Sequence, residues 1–167
     1  MDVDARKIGR GEPLLYLVFA LSLLAALSHL WAAAEHMKEW WGYGAFFLAS
    51  AVAQGAYASG LMRWPRRSLF LAGIGGNLVI LALYVLTRTV GIPVFGPHAG
   101  EIEGVGFADL CATASEVGIV LALGALMMRG FSRERKLQVA VVLAAAALLV
   151  GHLIHLLADG AAMGHGS

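Results

Sequence analysis

Apolar residues in this chain come in long runs rather than in alternation with polar ones. Five stretches, residues 13–34, 41–62, 69–90, 106–128 and 137–158, are predominantly apolar, and short polar segments separate them. About 20 such residues in a helix cross the roughly 30 Å hydrocarbon core of a bilayer. The pattern predicts an all-α polytopic membrane protein, a single domain over 1–167 built as one bundle of five transmembrane helices. The fourth stretch is the weakest, because it carries Asp109 and Glu116.

Composition points the same way. Hydrophobic residues make up 59% of the 167 residues and charged ones only 14%, with a mean hydropathy of +0.76. Soluble domains carry about a quarter charged residues, so this chain cannot cover itself with polar surface in water. Lipid is the expected solvent, and the bilayer the expected partner. The net charge of +1 and the lack of a basic stripe argue against a nucleic-acid partner. A single cysteine, Cys111, excludes an intrachain disulfide framework.

Basic residues set the orientation. Arg6, Lys7 and Arg10 precede the first stretch, Arg63, Arg66 and Arg67 follow the second, and Arg129, Arg133, Arg135 and Lys136 follow the fourth. With five spans these ten of the twelve Lys and Arg residues fall on one side, the cytoplasmic one by the positive-inside rule. The expected topology is N-terminus inside and C-terminus outside, in a multi-pass protein of the cell membrane. Residues 5–34 also resemble a signal peptide ending at Ala32-Ala33-Ala34. Their apolar part exceeds the usual 7–15 residues, and retention as the first span is expected.

In that topology all six histidines lie in the outer half or beyond. His29 and His36 sit at the end of the first span, His98 in the loop after the third, His152 and His155 in the fifth, and His165 in the tail. Glu35, Glu39, Glu101, Glu103, Asp109 and Asp159 join them, whereas the cytoplasmic side has no histidine. Helical spacing puts these groups on shared faces, because residues three, four or seven apart lie above one another. His29 shares a face with His36, and His152 with His155. Asn77, Tyr84 and Arg88 align on the third span, Asp109, Thr113 and Glu116 on the fourth, and Ser50, Gln54 and Tyr57 on the second. In lipid such faces turn toward the bundle interior.

Simpler readings cover part of this pattern. Trp31, Trp40, Trp41 and Tyr43 read as an interfacial aromatic belt, His165 as a tail residue, and Asn77 in GIGGN as packing glue. Glu116 resists such a reading, since an acid at a span centre costs roughly 2.5–3.5 kcal/mol. It calls for a partner: a neutral interhelical hydrogen bond, Arg88 through intervening groups, or a bound cation.

Imidazole and carboxylate without thiolate suit Cu(II), Fe or Zn. The candidate metal ligands are His29, His36, Glu39, His98, Glu101, Asp109, Glu116, His152 and His155. The preferred set is His29 with His152 and His155, which lie at similar depth; His36 with Glu39 is the alternative. The same His29, His152 and His155 would ligate haem b in an electron-transfer subunit. The expected function is a metal- or haem-dependent redox or metal-handling component with an extracytoplasmic site. Two alternatives remain: a small proton- or cation-coupled transporter, and a non-catalytic accessory subunit of a membrane complex. Subunits of such a complex, or further copies of this chain in a homo-oligomer, are the expected protein partners.

Overall fold

The computed structural model describes residues 12–91 and 96–129 together with positions 134 and 137. The described residues form helices and no strands: α1 (Pro13–Glu39), α2 (Trp41–Arg63), α3 (Arg67–Thr89) and α4 (Phe107–Met128). All four are long and apolar enough to cross a membrane. The predicted fifth span, 137–158, lies outside the described residues.

Local chemistry explains where each helix starts and stops. Pro13 occupies the first turn of α1, where its missing N–H is not needed. The helix runs five residues past the predicted end at 34, through Glu35-His36-Met37-Lys38-Glu39, because good helix formers continue after hydrophobicity fades. It ends at Trp40, whose extended backbone (φ −162°, ψ 134°) is the whole connection to α2. So abrupt a reversal brings the two backbones close. A Cβ on Gly44 would lie 2.8 Å from Met37 Cα. Pro65 ends α2 by holding Trp64 out of the helical region. Gly106 caps α4, and its N–H donates to Asp109 Oδ2 at 3.0 Å. The Asp109 carboxylate thereby also faces the positive end of the helix dipole.

Short connections make sequence neighbours antiparallel. The Trp40 turn and the 90–106 loop therefore share one end of the bundle, and the 64–66 turn occupies the other. Arg129, just past α4, pairs with Glu12, just before α1, at that second end. Helix α1 packs against α2 and α4, and α3 packs against α4. Helices α2 and α3, although joined by a tight turn, touch only lightly. Gln54 Nε2 bridges them by donating to Asn77 Oδ1 at 2.8 Å, and Asn77 Nδ2 donates to Gly73 O at 2.7 Å.

The bundle is divided by depth. Its 64–66 half holds an apolar core of Leu15, Val18, Leu61, Phe70, Ile119, Leu123 and Leu126. In the other half and at mid-depth the buried residues are small or polar: Ser28, His29, Ser50, Gln54, Asn77, Ser115 and Glu116. Large apolar side chains such as Leu27, Val52, Val79 and Leu121 face outward. A surface this greasy over a polar interior suits lipid and not water.

One contact makes the light α2–α3 packing testable. A Cβ on Gly73 would come within 2.1 Å of Tyr57 Oη and 2.8 Å of Leu123 Cδ1. Gly73→Leu is expected to cost about 1–3 kcal/mol, the usual range for overpacking, read as a lower melting temperature in detergent. Gly75→Ala meets open space and should leave it unchanged.

Candidate functional site

The end of the bundle that carries the histidines contains two cavities with a common wall. The outer one, about 590 Å³, is lined by Glu35, His36, Glu39, His98, Glu101 and Glu103 among others. The inner one, about 420 Å³, penetrates between the helices to His29 and Glu116, with Phe46, Phe47, Ile80 and Leu83 as apolar walls. His36, Tyr43, Arg88, His98, Glu101, Glu103 and Asp109 border both.

At the floor of the inner cavity His29 Nε2 is hydrogen-bonded to Glu116 Oε1 at 3.0 Å. The residues are 3% and 1% exposed, so the pair is shielded from solvent on every side but the cavity. Helix spacing puts it there. His29 lies on the α1 face of Ser22, Ala25 and Ala32, and Glu116 on the α4 face of Ala112, Ile119 and Leu123, all of them buried. Small residues at these positions let α1 and α4 approach until imidazole and carboxylate meet. A buried acid of this kind needs such a partner, because an unpaired one costs several kcal/mol.

The other two described histidines repeat the pairing. His36 Nδ1 lies 2.9 Å from Glu39 Oε2, and His98 Nδ1 lies 3.0 Å from Glu101 Oε2. The His36 ring stacks on Phe47 at 4.8 Å and meets Tyr43 edge-on. Each described histidine therefore commits one ring nitrogen to a carboxylate, and each borders the inner cavity.

Arg88 ties the mouth together. Its Nη1 donates to Glu103 and its Nη2 to Asp109 Oδ2 at 2.7 Å, while its guanidinium lies over Tyr84 at 4.9 Å. The Glu103 N–H also donates to Thr87 O at 3.1 Å. This folds the loop back onto the end of α3. Gly91 allows the fold: it takes φ +75°, and a Cβ there would strike the backbone of Gly100 and Glu101 at 2.7–2.8 Å.

Seven of the predicted site residues thus line the two cavities: His29, His36, Glu39, His98, Glu101, Asp109 and Glu116. His152 and His155 lie outside the described residues, as does His165. Six of the seven form three His–carboxylate pairs, and Asp109 binds Arg88. Among the described residues no group of three or more His, Cys, Asp or Glu side chains is placed to hold a metal ion. Glu116 meets His29, whereas Arg88 engages Asp109 and Glu103. The Arg88–Glu103 bond had no sequence signal beyond opposite charge, because a loop of unknown course lies between the two. No protein-family model, curated protein or solved structure matches this chain, so its chemistry is read from its own geometry.

Proposed function

We propose that this chain is a multi-pass protein of the cell membrane that holds a Cu, Fe or Zn ion at an extracytoplasmic mouth, as a metal-handling or redox component. One observation carries the reading: three imidazoles, each held by a carboxylate through one ring nitrogen, border the same cavity. A carboxylate that fixes an imidazole in this way sets its tautomer and raises its basicity toward a metal on the other nitrogen. In this reading Glu39 and Glu101 orient His36 and His98, whose Nε2 atoms are the donors. Solvent would complete the coordination. The apolar core in the other half of the bundle counts against a continuous path and so favours a binding site over a transporter.

The extracytoplasmic placement rests on charge. Arg63, Arg66, Arg67 and Arg129 lie at the bundle end opposite the histidines, and basic loops stay in the cytoplasm. With Cys111 replaced, a cysteine introduced at position 98 is expected to react with an impermeant maleimide on intact cells, and one at 66 only after lysis. Strong labelling at 66 on intact cells would reverse the orientation.

Metal analysis and an absorption spectrum of detergent-purified protein test the site. Near-stoichiometric Cu, Fe or Zn is expected. Removing both imidazoles, His36→Ala with His98→Ala, should abolish retention. Removing only their orienting partners, Glu39→Gln with Glu101→Gln, should weaken affinity roughly 10–100-fold. Protein that stays metal-free after loading with each of the three metals would overturn the reading and favour the accessory-subunit alternative. A Soret band would replace the ion with haem b.

A further inference from the structure

The inner cavity has features that a metal site does not need. Most of its wall is aromatic or aliphatic: Phe46, Phe47, Ile80, Leu83 and Ala112. Its polar groups sit at the floor, in the His29–Glu116 pair, and at the rim. A concave space of 300–1,000 Å³ with apolar walls and a few convergent polar groups is the usual form of a small-molecule site, and this one measures about 420 Å³.

We infer that this cavity binds the head group of a lipid-soluble quinone or quinol, with the His29–Glu116 pair as its hydrogen-bonding floor. The floor chemistry fits both forms of the ring. In the ion pair, and equally in the neutral acid–imidazole form, His29 Nδ1 carries a proton and Glu116 Oε2 keeps its lone pairs. A quinone carbonyl accepts from the first and a quinol hydroxyl donates to the second, without breaking the 3.0 Å bond between Nε2 and Oε1. Phe46 and Phe47 line the cavity, and aromatic contact with a flat ring adds to the burial of its surface.

Charge narrows the choice of ligand. Glu101, Glu103 and Asp109 border the cavity, and the one arginine among its described lining residues, Arg88, is already engaged by Glu103 and Asp109. A fatty-acid carboxylate or a lipid phosphate would enter against excess negative charge, whereas a neutral ring meets no such barrier. The walls also indicate the approach. Phe46 on α2 lines the cavity and is 40% exposed. Ile80 and Leu83, which line it from α3, are only half-buried. These residues flank the lightly packed α2–α3 seam, so a ligand dissolved in the bilayer can enter sideways, ring first.

The test is a titration of the full chain, in phosphatidylcholine nanodiscs, with decylubiquinone, followed by calorimetry. Saturable binding to one site is expected. His29→Leu removes the donor and should weaken it at least tenfold, the loss that follows when a buried hydrogen-bond partner disappears. Leu83→Trp and Ala112→Leu fill the cavity while leaving the floor intact; each should weaken binding as much, and they decide the matter if the His29 variant does not fold. Leu121→Ala, on the outward face, should bind as the parent does. The metal content of Leu83→Trp should equal that of the parent, which separates this inference from the metal reading. Non-saturable uptake, binding indifferent to Leu83→Trp and Ala112→Leu, or displacement of the quinone by equimolar palmitate would overturn it.

Discussion

Glu116→Leu is expected to destabilise the bundle by about 1–3 kcal/mol, the usual cost of leaving a buried polar group without its hydrogen-bond partner. Adding His29→Leu to the same chain should recover most of that loss. The single change leaves His29, 3% exposed, with a polar ring and no acid to receive it. The double change leaves two apolar side chains facing each other between α1 and α4, and well-packed apolar replacements of buried pairs are often neutral or stabilising. Glu116→Gln keeps a hydrogen-bonding group of the same shape and should cost less than either single leucine variant. The four melting temperatures in one detergent close a double-mutant cycle. If the double variant is as unstable as the sum of the singles, His29 and Glu116 are not energetically coupled, and the geometry assigned to the floor of the cavity is wrong.

That pair also marks how far the sequence could be read. Hydrophobic run length located the four described helices to within a few residues, because the thickness of a bilayer imposes it. It missed the end of α1 by five residues. Hydropathy reports where the apolar run stops, but helix propensity decides where the helix stops, and His36, Met37, Lys38 and Glu39 remain helical beyond that run. Spacing identified the interior faces, and Gln54, Asn77 and Glu116 are all buried. It could not pair the groups on them. A period of 3.6 fixes the side of a helix on which a residue lies, not its depth relative to a neighbouring helix. Glu116 therefore had several eligible partners, and helix packing selected His29, 87 positions away. The same limit left the partner of each expected ligand open, and the described histidines are each seen with one carboxylate. His36–Glu39 and His98–Glu101 are local i,i+3 contacts, whereas His29–Glu116 joins two helices.

Arg88→Leu is expected to open the mouth of the bundle while leaving its opposite half intact. The guanidinium joins the end of α3 to the 96–106 loop through Glu103 and to the first turn of α4 through Asp109. Its removal leaves Asp109, only 15% exposed at the side chain, with the Gly106 N–H but no counter-charge, while Glu103 at 37% can turn to solvent. Most of the loss therefore belongs to the Asp109 contact, and about 2–3 kcal/mol is expected, below the range for fully buried pairs. Hydrogen exchange resolves where that loss falls. Amides of residues 96–106, including the Glu103 N–H bonded to Thr87 O, should exchange at least tenfold faster, while those around Leu61, Phe70 and Leu123 in the apolar core should not change. Arg88→Lys should not rescue the loop, because a single ammonium cannot present the planar fork that reaches two carboxylates from different elements. Removing the stranded charge with Asp109→Asn in the Arg88→Leu background should restore part of the stability but not the loop protection, since the tie to Glu103 is still missing. Unchanged exchange in the loop of Arg88→Leu would mean that Gly91 and the backbone contacts alone hold the mouth closed, and that the arginine serves only to neutralise its two acids.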